Sequence, residues 1–173
     1  MKRPRIIELL LSMLIVLMAV SCSISYKFNG AALDYSIYKT INIGNFPIRA
    51  PMVYAPLQPM FENELADNYT KQTRLRIVDS SKTDLSIEGE ITGYSLTPQA
   101  VTEDAYASKT RLTISVRVKY EDHHQSHNSI DQTFSAFRDF DSSEMLTNVQ
   151  DELCKQITEE LVMLIFNATA GNW

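Results

Sequence analysis

Residues 110–120 read Thr-Arg-Leu-Thr-Ile-Ser-Val-Arg-Val-Lys-Tyr, the clearest strand pattern in the chain. Its apolar residues occupy every second position, and polar or basic residues stand between them. Because successive side chains of a strand point to opposite faces, the alternation predicts a strand with one buried and one solvated face. The predicted buried set is Leu112, Ile114, Val116, Val118 and Tyr120. Such a strand belongs to a sheet that is covered on one side only.

The flanking sequence predicts four more strands, at residues 40–46, 74–79, 84–94 and 130–140, and two helices. The first helix would begin near Leu57 and bury a stripe with three- and four-residue spacing: Leu57, Met60, Phe61, Leu65 and Tyr69. The second would use Asp141 as its cap, with Glu144 three residues later in a variant of the capping box. Its buried stripe would be Leu146, Val149, Leu153, Ile157, Leu161, Leu164 and Ile165.

The order of these segments is strand, helix, strand, then three successive strands and a closing helix. A right-handed crossover would join the first two strands, and the last three would run antiparallel. We therefore expect an α+β fold: a two-layer sandwich with one mixed, mostly antiparallel sheet of four to five strands and two helices on one face. Residues 97–108 would form a connection and residues 121–129 a polar hairpin loop. Gly89 and Gly93 lie on the apolar side of their strand, where the absence of side chains predicts a bulge or a close-packed helix.

The first residues form a targeting segment. Lys2, Arg3 and Arg5 precede an apolar run at residues 6–20, which is shorter than the ~20 residues that span a bilayer. This pattern predicts a signal peptide at residues 1–21, a tether at residues 22–38 and a single domain at residues 39–173. A membrane anchor that is not cleaved is the alternative.

Ala19-Val20-Ser21-Cys22 resembles the bacterial lipobox, in which the cysteine sulfur carries a diacylglycerol and becomes the first residue of the mature chain. Cys22 is therefore the predicted lipidation site, and three acyl chains would anchor the protein to a membrane permanently. An ordinary secretory signal that happens to contain Cys22 is the other interpretation. Ser23 follows Cys22, at the position where an aspartate would keep a lipoprotein from the outer membrane. The residues after it contain no acidic cluster, which favours the periplasmic side. By resemblance to known envelope rules, this predicts the periplasmic side of the outer membrane.

Charge and cysteine content exclude several classes. Removal of residues 1–21 changes the 16 basic and 21 acidic residues of the chain to 13 and 20, a net charge of −7. This balance argues against nucleic-acid binding. If Cys22 is lipidated, Cys154 is the only free thiol, so no internal disulfide can form. Cys154 lies near the apolar face of the second helix, where cysteine packs as a small hydrophobe.

The sequence does not point to an enzyme or to a cofactor. His123, His124 and His127 are all the histidines, and they share one predicted loop, so the domain cannot assemble a catalytic triad without them. We interpret the loop as solvated and predict no metal. Glu88 and Glu90 share the solvated face of a strand, where paired carboxylates usually serve as surface charge.

The solvated face of residues 110–120 carries the candidate ligand-binding residues Arg111, Arg117 and Lys119, here called the basic stripe. Every second residue of a strand lies about 6.6 Å from the last, a spacing that suits several phosphates or sugar acids. The alternative is that these residues pair with Glu88 or Glu90 across the strands.

An ordered set of short motifs runs through the mature chain: Cys22 with Tyr26-Lys27-Phe28-Asn29-Gly30, Phe46-Pro47, Arg49-Ala50-Pro51, Gly89-Glu90-Ile91-Thr92-Gly93-Tyr94, Thr110-Arg111-Leu112-Thr113-Ile114, Arg138-Asp139-Phe140, Ile165-Phe166-Asn167 and Trp173. The set resembles the LptE family of lipopolysaccharide-assembly lipoproteins, in its Bacteroidetes form. The resemblance implies an outer-membrane lipoprotein that plugs the LptD β-barrel, assists its folding and helps deliver lipopolysaccharide to the outer leaflet. It also implies two helices on one face of a small mixed sheet. The alternative is a periplasmic lipoprotein that activates an envelope enzyme, such as a peptidoglycan synthase, or serves another exporter.

Overall fold

The computed structural model describes residues 33–52, 54–99 and 108–171. The predicted signal peptide, Cys22 and most of the predicted tether lie outside the described residues. The elements are β1 (Thr40–Ile43), α1 (Leu57–Gln72), β2 (Arg76–Ile77), β3 (Leu85–Gln99), β4 (Lys109–Asp122), β5 (Ile130–Asp141) and α2 (Leu146–Thr169). A short 3-10 helix, Ser126–Asn128, lies between β4 and β5.

The strands form one five-stranded sheet in the order β2-β1-β3-β4-β5. β1 runs parallel to both β2 and β3. The α1 crossover connects β1 to β2, and residues 78–84 connect β2 to β3 on the other side of β1. β3, β4 and β5 are successive antiparallel neighbours. The sheet is therefore mixed and mostly antiparallel, and the expected α+β fold is confirmed.

The core lies between the sheet and the two helices. The five predicted inward side chains of β4 are fully buried, and Leu85, Ile87 and Ile91 of β3 are buried beside them. The buried residues of α1 and α2 belong to this same cluster, whereas the intervening side chains of β4 lie at the surface. Both helices consequently cover one face of the sheet, and the opposite face, here called the outer face, is open.

Several strand boundaries differ from the prediction. β1 ends at Ile43 because the chain then turns inward: Phe46 is fully buried against Phe61, and its N–H donates to Glu62 Oε1 at 2.8 Å. β2 has only two residues and both are exposed. The predicted connection at residues 97–108 was placed too early, because Thr97, Pro98 and Gln99 pair with Arg111, Thr110 and Lys109.

The predicted start of α2 was wrong. Asp141 is the last residue of β5, and its Oδ1 accepts hydrogen bonds from the N–H and the hydroxyl of Ser143, which folds a turn before the helix. The helix begins at Leu146 without a side-chain cap, so Glu144 completes no capping box. Leu164 is 40% exposed rather than buried. It lies about 100° round the helix from Ile165, and the buried stripe passes through Leu161, Val162 and Ile165 instead.

The predicted bulge in β3 is present, but the prediction that both glycines lie on the apolar side was wrong for Gly93, which the bulge turns to the outer face beside Ser115. No helix packs over Gly89; its close neighbour is Phe46, in the loop after β1. The register between β3 and β4 shifts between Ile91 and Gly93, which is a β-bulge. At Gly89, an added Cβ would lie 2.8 Å from the ring of Phe46 and 2.1 Å from the carbonyl oxygen of Arg117. Phe46 therefore reaches its buried position over a residue that has no side chain.

Candidate functional site

The basic stripe lies on the outer face of β4, as the alternation of residues 110–120 predicts. The side chain of Arg111 is 32% exposed, that of Arg117 55% and that of Lys119 49%. The three residues share a long central strand that is hydrogen-bonded on both sides, so their backbone positions are fixed.

Arg111 is held by two contacts with β5. Its Nε and Nη2 donate to the two carboxylate oxygens of Asp139, directly opposite in register, at 2.7 and 2.9 Å. Its guanidinium also lies 3.7 Å from the centroid of the Phe137 ring, a cation–π contact. The combination of a two-point ion pair and ring stacking orients this side chain along the sheet.

Arg117 makes a second two-point ion pair. Its Nε and Nη2 each donate to a carboxylate oxygen of Asp131 at 2.9 Å. Asp131 is directly opposite Lys119 in register, so Arg117 reaches it diagonally. Lys119 pairs instead with Glu121 on its own strand at 2.8 Å, and lies 3.9 Å from Glu88 on β3.

The ionisation of these groups follows from the pairing. Hydrogen bonds from Arg117 lower the pKa of Asp131, and those from Arg111 lower the pKa of Asp139. The hydrogen bond from Lys119 lowers the pKa of Glu121, while that bond raises the pKa of Lys119. All of these carboxyl groups are therefore charged at neutral pH, and each opposes the field of a neighbouring cation.

A shallow groove of about 520 Å³ crosses this part of the outer face. Its lining combines the loop after β1 with the middle of the sheet: Asn45, Pro47, Glu88, Gly89, Glu90, Arg117, Lys119 and Asp131. The groove therefore presents both signs of charge rather than a positive surface. An anionic ligand that enters it must exchange with Asp131 or Glu121 for the cations.

The cations of the basic stripe do pair with carboxylates on neighbouring strands, as the alternative interpretation expects. Most of these carboxylates, however, were not among the predicted partners. Glu88 does approach Lys119, and Glu90 lies opposite Arg117. The two-point partners, however, are Asp131 and Asp139 of β5. Both stand at alternate positions from Phe137, on the solvated side, and the period-2 pattern of β5 was the signal that could have identified them.

The three histidines are not brought together. His124 Nε2 lies 2.9 Å from Asp84 Oδ1, while His123 Nε2 lies 3.2 Å from the hydroxyl of Ser86. His127 belongs to the short 3-10 helix. Among the described residues no group of histidine, cysteine, aspartate and glutamate is arranged to hold a metal ion.

The histidine loop is instead fixed by a buried carboxylate. Asp122 is 4% exposed and accepts hydrogen bonds from the Tyr38 hydroxyl at 2.8 Å and from the N–H groups of His124 and Gln125 at 2.8 Å. Burial, with this hydrogen bond, raises the pKa of Tyr38 to about 12. Through these contacts Asp122 joins the segment before β1 to the β4–β5 loop, so it stabilises the fold.

Cys154 is fully buried in α2, as its position on the apolar face predicts. Desolvation raises the pKa of its thiol to about 11. A thiol that is protonated and inaccessible is not a nucleophile. The residue packs as a small hydrophobe.

The sequence matches the family model described as LptE, lipopolysaccharide-assembly, over residues 38–169. The chain belongs to the LptE family of lipopolysaccharide-assembly lipoproteins, which are proteins of the bacterial envelope. Comparison with curated proteins gave no match. Neither of the described helices is long and apolar enough to cross a membrane.

Solved structures with a similar fold share little sequence with this chain. A hypothetical protein from Chlamydia trachomatis is 11% identical, with 76% of this chain and 97% of that chain covered and a TM-score of 0.50. A minor lipoprotein from Acinetobacter baumannii is 14% identical, with 75% and 90% covered and a TM-score of 0.49. Lipoprotein B from Nitrosomonas europaea is 15% identical, with 74% and 81% covered and a TM-score of 0.46.

Proposed function

We propose that this chain is an outer-membrane lipoprotein, anchored through Cys22 on the periplasmic side, that plugs an LptD-type β-barrel. In this role it assists the folding of the barrel and the transport of lipopolysaccharide to the outer leaflet. The observation that carries the proposal is the family match, which spans residues 38–169 and so includes nearly all of the described domain.

The character of the outer face supports a barrel as the partner. The lumen of a transmembrane barrel is polar. The outer face is also polar, with hydroxyl groups such as those of Ser115 and Ser135, 2.8 Å apart, between the ion pairs of the basic stripe. A surface of paired charges and hydroxyls can enter a polar lumen without burying an unpaired charge.

We further propose that Arg111, Arg117 and Lys119 contact the phosphates or acidic sugars of lipopolysaccharide. The guanidinium groups of Arg111 and Arg117 already bind carboxylates in the two-point geometry that also suits phosphate. A phosphate would replace Asp139 or Asp131 as the acceptor. Because the released carboxylate then faces solvent, the exchange leaves no buried charge.

The partner is tested by affinity purification of a tagged chain from detergent-extracted membranes. The proposal expects an LptD-type barrel to co-purify with the wild-type chain. The Ile114→Asp variant, whose core is disrupted, is the matched control and should recover no barrel. Recovery of a peptidoglycan synthase or of another exporter, in place of a barrel, would support the alternative class and contradict the proposal.

The anchor is tested separately by metabolic labelling with an alkyne fatty acid. Wild-type protein should carry the label, and Cys22→Ala should carry none and should accumulate with its signal peptide uncleaved. A labelled Cys22→Ala protein would place the lipid elsewhere and remove Cys22 from the account. This outcome is independent of the partner that the domain binds.

A further inference from the structure

We propose that Asp131 limits anion binding in the groove of the outer face, because its carboxylate occupies the position on Arg117 that a ligand phosphate would take. The inference deepens the proposed function and rests on it, since it concerns the same cations of the basic stripe. It also separates two aspartates of β5 that make the same kind of ion pair. Asp131 controls the affinity of the groove, whereas Asp139 does not.

Asp131 already has the contacts of a bound anion. Its two carboxylate oxygens accept hydrogen bonds of 2.9 Å each from Nε and Nη2 of Arg117. It lies directly opposite Lys119 in register, and the hydrogen bonds and charge of Arg117, together with the charge of Lys119, lower its pKa. Carboxylate and phosphate fit the guanidinium fork in the same two-point way. A carboxylate of the protein therefore fills the anion position beside both cations.

The groove leaves room for the exchange of one anion for another. Arg117, Lys119 and Asp131 all line its space of about 520 Å³. The side chain of Asp131 is 47% exposed and stands on an edge strand, so its carboxylate can turn into solvent when a phosphate binds Arg117. Because exposed ion pairs are weak, the competition changes the affinity of a ligand by a small factor rather than by orders of magnitude.

Asp139 has a different setting, although its ion pair has the same geometry. It lies directly opposite Arg111, whose guanidinium is 3.7 Å from the centroid of the Phe137 ring. This pair is the less exposed of the two, at 32% and 28%, and neither of its residues lines the groove. Eight residues of strand place Asp139 about 26 Å from Asp131, beyond the ~8 Å screening length at physiological ionic strength. A charge change at Asp139 is therefore screened from the groove.

An internal competitor favours release of the ligand. When a phosphate leaves Arg117, the carboxylate of Asp131 is held on the neighbouring strand and takes its place without a second molecule. A site that passes its ligand on must bind it weakly enough for it to leave. Removal of the Asp131 charge should consequently increase affinity, which is the opposite of the effect expected at a residue that binds the ligand.

The test measures phosphate binding at individual arginines. The full chain, labelled with ¹⁵N and purified in detergent, would be titrated with inorganic phosphate at neutral pH and constant ionic strength, and the Nε–H resonance of Arg117 followed. Asp131→Asn keeps the shape of the side chain and should lower the dissociation constant of phosphate at Arg117 about threefold to fivefold. Asp141→Asn is the matched control, since it makes the same substitution on the same strand at a side chain that bonds Ser143. It should leave phosphate binding at Arg117 unchanged.

Asp139→Asn tests the part played by the groove. It frees Arg111 outside the groove, so phosphate affinity at Arg111 should rise less than phosphate affinity at Arg117 does in Asp131→Asn. The inference is overturned if Asp131→Asn leaves phosphate affinity at Arg117 unchanged or lowers it. An equal gain at Arg111 in Asp139→Asn would also overturn it, because any freed arginine would then bind phosphate alike.

Purified lipopolysaccharide, as a second probe, separates this inference from the proposed function. It should bind Asp131→Asn more tightly than the wild type. If the wild type binds lipopolysaccharide and Asp131→Asn binds it no more tightly, the inference fails and the proposed function stands. If phosphate affinity rises at Arg117 but neither protein binds lipopolysaccharide, the role of Asp131 is supported and the proposed ligand is contradicted.

Discussion

Arg117 binds Asp131 diagonally across β4 and β5 through two hydrogen bonds of 2.9 Å each, although Asp131 lies directly opposite Lys119. Lys119 is thereby left to Glu121 and Glu88. The cations of the basic stripe are consequently part of a charge network, and any anionic ligand competes with carboxylates of the protein itself.

Reversal of the basic stripe tests its role in ligand binding. The triple change Arg111→Glu, Arg117→Glu and Lys119→Glu would leave Asp131, Asp139 and Glu121 without partners and make the face strongly negative. We expect purified lipopolysaccharide to bind the variant more weakly than the wild type. The difference in affinity should be greatest at low salt, because salt screens the interaction between exposed charges. Circular dichroism should stay native, since these side chains lie at the surface.

The matched control for this triple change is Lys71→Glu, Lys82→Glu and Lys155→Glu, which alters the net charge equally at exposed residues outside the basic stripe. It should leave lipopolysaccharide binding unchanged. If the basic-stripe variant binds lipopolysaccharide as tightly as the wild type does, the basic stripe is ordinary surface charge. Equal weakening of both triple variants would show that only net charge matters.

The face assignment of β4 is tested by three aspartate substitutions. Ile114 and Val116 are fully buried, so Ile114→Asp and Val116→Asp would each bury a charge or force its protonation. The cost is several kcal/mol against a typical stability of ~5–15 kcal/mol, and both variants should lose the cooperative thermal transition. Ser115→Asp, on the outer face, should fold with a melting temperature near that of the wild type. Similar melting temperatures for the three would contradict the assignment.

The contact between Phe46 and Gly89 predicts a different kind of destabilisation. The methyl group of Gly89→Ala would meet the Arg117 carbonyl and the Phe46 ring at distances that no packed structure accommodates, so the strand or the ring must move. We expect a loss of about 1–3 kcal/mol in the free energy of unfolding. At Gly93 an added Cβ would lie 3.0 Å from the Cβ of Ser115. Gly93→Ala should therefore cost less in urea melts, and an equal or larger cost would contradict the close approach at Gly89.

Asp84 predicts a dependence of stability on pH. Burial opposes its ionisation, but hydrogen bonds from His124, from the N–H groups of Lys39 and Thr40 and from the Thr40 hydroxyl outweigh burial and lower its pKa. The unfolded chain binds a proton at Asp84 near pH ~3.9. The stabilisation is thus complete above that pH and is lost as the pH falls towards the lower folded pKa.

The measurement is the free energy of unfolding of the wild type and of Asp84→Asn between pH 7 and pH 3. The wild type should be more stable at pH 7, and the difference between the two should shrink below about pH 4. Asp79→Asn, at an exposed carboxylate, serves as the control. A difference between the wild type and Asp84→Asn that stays constant down to pH 3 would show that the carboxylate charge is not what stabilises this site.

Periodicity was sufficient for the architecture. The alternation of residues 110–120 identified the inward side chains of β4, and the helical spacing identified Leu57, Phe61, Leu65 and Tyr69 of α1. One error, the predicted start of α2, arose because a polar side chain could serve two local structures. Asp141 fits a helix cap by sequence, yet it bonds Ser143 in a turn, because β5 continues to that residue.

The site was less predictable than the fold. The sequence placed Arg111, Arg117 and Lys119 on one solvated face, but it could not choose their partners. That choice depends on register, and a shift of two residues between β4 and β5 would exchange one set of carboxylates for another. The neutralisation of the basic stripe by Asp131 and Asp139 is therefore a property of the assembled sheet.

Photo-cross-linking from opposite sides of the molecule in intact cells distinguishes a barrel plug from an accessory subunit. A plug is surrounded by its barrel, whereas an accessory subunit contacts a partner with one surface. Probes would replace Thr133 on the outer face and Lys155 on α2, both exposed. If the domain is a plug, each probe should cross-link to the same LptD-type barrel. Cross-linking to the barrel from one side only, or from neither, would contradict this arrangement.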